Sequence, residues 1–341
     1  MRLWSTPDLK KFNKERIRKE IQKHDKCTKA IISRMTELSL VTCNSLLNEM
    51  LADREILETT QKELIMGRPA AQFHYNNDYL HVLGIWVSDE KNVNVIDCTT
   101  ADAAGKVLSH ERINPEKLDY GAIEAVIEKS IAQDDLIKCI TVGIPGVSIN
   151  GTVENCGVSS LVGEPLGDKL SEKFHVDVDI HNDMDFMTYG IYHTSYKGNS
   201  NLAVIYFPKE NSGTVGSGFY VTGQIVRGFS QNAGALSNAL ECFGLSREWQ
   251  NQIINNNSEF VSYIQKISVI ISAVIDPEEI YVLGVDLDKE QLDQIKGFLE
   301  EKMTLQHTPK IILDKDGEER YRTGLICAGI NHMLFPLSEA M

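Results

Sequence analysis

Apolar residues recur with a helical period from Leu9 to Ala52 and then change period. Leu9, Phe12, Ile17 and Ile21 form a stripe that predicts a first helix. Thr28 is a good N-cap, and a second helix is expected from Lys29 to about Thr36, with Ile31, Ile32 and Met35 inward. Glu37-Leu38-Ser39-Leu40 makes a tight connection. A third helix is expected from about Val41 to Ala52, burying Leu46, Leu47, Met50 and Leu51. Helix, short turn and helix is helix-turn-helix geometry. One residue departs from it: Glu37 stands where glycine is common, at a cost in left-handed backbone freedom. Residues 53–78 read as a wing and linker. Ile56–Thr60 and Ala71–Tyr75 are its strands, and Gly67-Arg68-Pro69 sets a turn between them.

After residue 79 strands and helices alternate. Strands are expected at His81–Val87, Val93–Cys98, Cys139–Gly143, Val176–His181, Leu202–Phe207, Gly218–Val221 and Ile280–Gly284. Helices are expected at Leu118–Ala132, Leu166–Phe174, from about Lys289, and at about Thr323–Leu334. The alternation predicts a layered α/β body.

Charge divides the chain the same way. The whole carries a formal charge of -14. Residues 1–70 hold 14 Lys and Arg against 10 Asp and Glu, whereas the remainder holds 20 against 38. A basic end on an acidic body suits a protein that meets phosphate at one end only, although a short basic segment can equally be a solvated face. The 7 cysteines form no C-x-x-C pair, which argues against a disulfide framework or a cysteine-rich zinc site. No apolar run is long enough to span a bilayer, and the N-terminus lacks a signal-peptide core, so no membrane partner and a cytoplasmic location are expected.

The third helix is the candidate DNA reader. Thr42, Asn44, Ser45 and Asn48 are short polar residues able to reach base edges or phosphates, and Ser39 in the preceding connection is a further DNA-contact candidate. Lys29 and Arg34 on the second helix are placed for backbone contacts, the cap Thr28 is a further DNA-contact candidate, and Arg68 at the wing tip is placed for a minor groove. The competing reading is a plain three-helix bundle that docks on the body.

The order of segments resembles the ROK family of repressors, open reading frames and sugar kinases. The resemblance rests on a winged helix-turn-helix, then Gly67-Arg68-Pro69-Ala70, then Val82-Leu83-Gly84-Ile85. It continues through Gly143-Ile144-Pro145-Gly146-Val147 with Gly151 and Val153, His181-Asn182-Asp183-Met184-Asp185, and Val215-Gly216-Ser217-Gly218 with Gly223. It implies an α/β body of two actin-like, sugar-kinase-like lobes behind an N-terminal all-α winged helix-turn-helix. The divisions expected are residues 1–78 for the DNA-binding domain and linker, 79–190 for a first lobe completed by 323–341, and 191–322 for a second lobe. It further implies that Asn182 matches a sugar-binding asparagine and Asp183 the catalytic base of the kinases. On the residues alone, the same pair can simply cap the next helix.

Departures from the family pattern matter more. Family kinases hold ATP phosphate with D-x-G-G-T, where this chain has Ile85-Trp86-Val87-Ser88-Asp89-Glu90. The family's A-G-E-x-G-H is replaced by Ala233-Gly234-Ala235-Leu236-Ser237-Asn238, losing the sugar-binding Glu and the His. Of the cysteine-rich zinc loop only Cys242 remains, so no metal and no cofactor are expected. Ser159-Ser160-Leu161 stands where the family's pocket usually carries another Asn.

Three readings follow. The first is a repressor without enzyme activity, a homodimer or homotetramer on a pseudopalindromic double-stranded operator, with a small effector such as a sugar in its body. The second is an active sugar kinase. The third is a DNA-binding regulator with a non-sugar effector or none.

Overall fold

The computed structural model describes residues 5–24, 26–60, 71–90, 93–196, 201–208, 215–242, 244–253, 257–303 and 308–336. Gly67, Arg68, Pro69 and Ala70, and Gly213 and Thr214 of the second glycine-rich segment, lie outside them.

The head begins with α1 (Thr6–Lys23), opened by a capping box in which Ser5 and Asp8 satisfy each other's backbone N–H groups. Strand β1 (Cys27–Thr28), α2 (Lys29–Thr36), α3 (Leu40–Ala52), β2 (Ile56–Thr60) and β3 (Ala71–Tyr75) follow. The strands form an antiparallel sheet in the order β1-β3-β2, so the three helices carry a wing of two long strands and one short one. The expected inward positions of α2 need correction. Ile31 and Met35 are both 36% exposed, while Ile32 and Thr36 face the core. Thr36 can occupy a buried place because its hydroxyl donates to the Ile32 carbonyl at 2.6 Å. Leu51 is only partly buried, and α3 starts at Leu40 rather than Val41.

The body contains β4 (His81–Glu90), β5 (Val93–Asp102), β6 (Val107–Ile113), α4 (Tyr120–Gln133) and β7 (Ile137–Ile144). The hairpin β8 (Gly146–Ile149) and β9 (Thr152–Cys156) precedes α5 (Leu166–Phe174), β10 (Asp177–Asn182) and α6 (Asp183–Thr194). The next strands are β11 (Leu202–Tyr206), β12 (Gly216–Val221) and β13 (Gln224–Ile225). Then come α7 (Leu236–Cys242), α8 (Arg247–Ile253), α9 (Asn257–Ile275), β14 (Glu279–Leu283), α10 (Lys289–Lys302), β15 (Lys310–Asp314) and α11 (Gly317–Leu334).

Two five-stranded sheets repeat one topology. The first runs β10-β7-β4-β5-β6 and the second β13-β12-β11-β14-β15. In each, three antiparallel strands are followed by two parallel ones reached through helices. The alternation expected after residue 79 is therefore present, together with β6, the β8–β9 hairpin, α7 to α9 and β15, which were not expected. Helix α4 starts at Tyr120, because Asp119 caps it, and not at Leu118.

Helices α6 and α11 join the two sheets. Helix α6 packs on β11 and β12, and α11 on β4 and β7. The two helices cross where a side chain on Gly190 would sit 1.8 Å from the Arg320 carbonyl, and one on Gly324 would sit 1.7 Å from the Phe186 carbonyl. Only glycine permits that backbone approach. The head is not isolated from the body. One apolar cluster runs from Ile17, Ile21, Leu47 and Phe73 into Val82, Ala101, Ile326, Ile330 and Leu334.

Candidate nucleic-acid interface and body cleft

The turn between α2 and α3 is built by its own residues. Glu37 adopts the left-handed conformation (φ 53, ψ 22) at which glycine is usual. Ser33 donates to the Leu38 carbonyl at 2.6 Å and holds the chain there. Ser39 caps α3, accepting the Thr42 N–H at 3.1 Å, with the two hydroxyls 2.9 Å apart. Thr28 caps α2, accepting the Ile31 N–H at 3.4 Å. Lys29 donates to the Asn44 side-chain oxygen and so ties α2 to α3.

The candidate DNA contacts thus fall into groups. Thr28, Ser39 and Thr42 hold helix starts, and Lys29 and Asn44 hold each other. Ser45 and Asn48 on α3 and Arg34 on α2 are exposed. Arg68 lies outside the described residues. The sequence reading missed Val41, which is 81% exposed. It precedes Ser45 by four residues, and Asn48 follows by three, so the three share one outward face. Such a face offers a methyl contact and two hydrogen-bonding side chains. The first turn of α3 carries no acidic residue. Some of the head's positive charge is already engaged. Lys10 and Lys14 pair with Glu49 at 2.9 and 3.3 Å, and Arg18 pairs with the buried Glu55. Arg18 also donates to the Leu334 carbonyl at the end of α11.

In the body, Asn182 and Asp183 sit at the start of α6. Asn182 caps the helix through its side-chain oxygen, which accepts the Met184 N–H at 2.8 Å. Its amide donates to the Gly146 carbonyl at 2.8 Å and holds the β8 turn against β10. Burial pushes the Asp183 carboxyl up to about 7. Burial also raises Asp185, while Arg227 opposes that rise through an ion pair of 2.9 Å. This pair links α6 to the loop after β13. Beside it lies a cleft of about 270 Å3 lined by Ser148, Gly151, Asp179, His181 and Gln231. Ser148 and Gly151 come from the β8–β9 hairpin and Gln231 from the loop after β13, so both halves of the body contribute.

Trp86 does not stand free over this region. Its ring packs 4.7 Å from that of Tyr321 on α11, which lies 6.3 Å from Phe186 on α6. Phe186 in turn meets His181 at 5.9 Å. Tyr321 escaped the sequence reading because it reaches this cluster from a helix at the far end of the chain. A side chain on Gly143, at the end of β7, would collide with its hydroxyl. The glycines of β12 have a packing role: a side chain on Gly218 would meet the Thr188 hydroxyl at 2.1 Å, and one on Gly216 the Met184 sulfur at 2.7 Å. Ser217 donates to the Gly234 carbonyl at 2.5 Å, holding the Ala233–Asn238 segment against β12. Cys242 at the end of α7 is exposed. Among the described residues no helix is long and apolar enough to cross a membrane.

The structure defines a fold class: a head of three helices with a three-stranded wing, set on a body of two repeated α/β sheets. Neither protein-family profiles nor curated sequences match this chain. Solved structures do. A ROK family transcriptional regulator, described as a homolog of the E. coli Mlc protein, superposes with TM-score 0.72 at 18% identity, over 96% of this chain and 98% of that one. A ROK hexokinase from Thermus thermophilus gives 0.55 at 13% identity, over 74% and 99%. A ROK family glucokinase from Streptomyces griseus, in complex with glucose and AMPPNP, gives 0.51 at 15%, over 73% and 99%. The fold is the one shared by ROK regulators and ROK sugar kinases. The regulator matches the head as well as the body, whereas the kinases leave about a quarter of the chain uncovered.

Proposed function

We propose that this chain is a DNA-binding transcriptional regulator whose kinase-like body binds a small effector and does not phosphorylate it. The observation that carries the reading is the exposed face of α3, with Val41, Ser45 and Asn48 beside a helix start free of acidic residues. A helix N-terminus of this kind attracts phosphate, and its outward residues enter the major groove. Residues 1–78 form the DNA-reading unit, with Arg34 and Arg68 contacting phosphate and minor groove. Two copies would present two α3 helices about 34 Å apart, matching half-sites one turn of duplex apart. The body's net negative charge keeps DNA contact to the head.

Asn182 and Asp183 are the proposed effector contacts, and a sugar or sugar derivative is the proposed ligand. Trp86 packed at a tilt against Tyr321, with exposed Asp89 at the end of β4, supports the absence of phosphoryl transfer, since an acidic strand end without a glycine pair offers phosphate no cradle. The test is genome-wide recovery of DNA bound to the full chain, followed by gel shift on the enriched sequence. Recovery of a recurrent inverted repeat is the expected result. The absence of any enriched site overturns the reading, and sugar-dependent ATP consumption would replace it with the kinase. Asp183→Ala is expected to abolish the response of DNA affinity to the effector while leaving DNA binding itself in place.

A further inference from the structure

A second cavity, of about 540 Å3, lies where the head meets the body. Its walls come from four places: Gln22 of α1 and His74 of β3 in the head, Ala104 in the β5–β6 turn, His193 of α6, and Asn331 and Phe335 at the end of α11. It is separate from the cleft lined by Asp179 and His181, none of whose lining residues it shares. We propose that this junction cavity binds an uncharged, ring-containing small molecule with hydrogen-bonding groups, and that the molecule sets how the head sits on the body.

The volume falls within the range of ligand pockets, which favour domain junctions. The lining selects the chemistry. It contains no Lys, Arg, Asp or Glu among the described residues. A charged ligand would lose its hydration there with no opposite charge to replace it. His193 adds none, because burial pushes its imidazole down to about 4. Its ring is held edge-on to Tyr189 at 4.4 Å and to Tyr192 at 5.1 Å. His74 leaves Nδ1 buried with no hydrogen-bond partner among the described residues. A buried ring nitrogen without a partner is costly, and a turn of the ring that brings it to a ligand donor or acceptor in the cavity would relieve it. Asn331 donates to the Tyr189 hydroxyl, which fixes the orientation of its amide at the wall. Phe335 and the short Ala104 side chain leave room and an apolar face for a ring.

The position supplies the consequence. Arg18 of α1 lies over the Phe335 ring at 5.7 Å and donates to the Leu334 carbonyl. A ligand on Phe335 therefore packs against the residue over which Arg18 straps the head to α11, and α11 crosses α6 at Gly190 and Gly324. A molecule that fits one head angle better than another shifts the population toward it. This consequence for DNA rests on the regulator reading above, whereas the binding site does not.

The experiment uses saturation-transfer NMR on the full chain with benzamide as the neutral probe and benzoate and benzylamine as its charged counterparts. Benzamide is expected to bind and the two charged probes to bind at least about tenfold more weakly. Ala104→Phe, at an exposed position on the rim, is expected to weaken benzamide about tenfold with an unchanged thermal melt; His74→Leu is the second variant. Excess glucose is expected not to displace the probe. No benzamide signal, equal binding of benzoate, displacement by glucose, or full binding in both variants would overturn the proposal and leave a water-filled seam only. Benzamide binding without any DNA binding supports the site and sinks the regulator reading alone. DNA binding without benzamide binding sinks the site alone.

Discussion

Two helix starts in this molecule use the same capping chemistry and end with opposite electrostatics. At α3, Ser39 accepts the Thr42 N–H, the first turn carries no acid, and Val41 stands out in solvent. At α6, Asn182 accepts the Met184 N–H, but the first turn carries Asp183 and Asp185. Both carboxyl groups are raised by burial. The backbone at each start presents partial positive charge. At α3 that charge is open to an anion from outside. At α6 the chain's own carboxyl groups already occupy it and leave no opening for phosphate. A cap alone therefore says where a helix begins; the next few residues and their burial decide what partner the end can take.

The comparison can be broken at its support or at either end. The largest effect is expected from Gly190→Leu, which forces a side chain into the Arg320 carbonyl where α6 crosses α11. Overpacking there should cost about 3 kcal/mol or more, read as a lower urea midpoint of the full chain. Near-native stability would show that the two helices can slide apart. The double change Ser45→Glu and Asn48→Glu places two carboxylates on the exposed face of α3. DNA affinity should fall about a hundredfold by gel shift, with no change in the thermal melt. Undiminished binding would move the DNA contact away from α3.

At the α6 end the effect is smaller and depends on pH. Asp183 keeps its proton in the fold up to about 7, whereas in the unfolded chain it ionises in the ordinary carboxylate range near 3.8. Between those values the folded state binds more protons, so this group lowers stability as pH rises through the window. Asp183→Asn should remove that loss. Its gain over the parent chain should be on the order of 1 to 2 kcal/mol larger at about pH 8 than at about pH 5 in urea titrations. A pH-independent difference would mean that the carboxyl is solvated. The smallest effect is expected from Ser39→Ala, which removes the α3 cap and should cost ~1 kcal/mol at any pH from about 5 to 8.

What the sequence determined alone was mostly local. The cap Thr28, the left-handed demand at Glu37, the wing strands Ile56–Thr60 and Ala71–Tyr75, and helix Leu166–Phe174 could be read from residue type and spacing. Each depends on neighbours a few residues away. Ser39, by contrast, was placed in the connection and not at the cap of α3. The order of glycine-rich and Asn-Asp segments pointed to the two-lobed body. Helix α9 was missed: many of its residues, among them Phe260, Val261, Tyr263, Ile264 and Ile267, are buried, so its apolar positions show no single stripe. The inward face of α2 was misjudged because spacing cannot tell that a threonine will satisfy its own hydroxyl and take a core place ahead of isoleucine and methionine. Tertiary structure alone brought Tyr321 beneath Trp86, set Arg18 against the end of α11, and opened a cavity between head and body. Those contacts join segments hundreds of residues apart, and the geometry that selects them belongs to the packed backbone rather than to any periodicity along the chain.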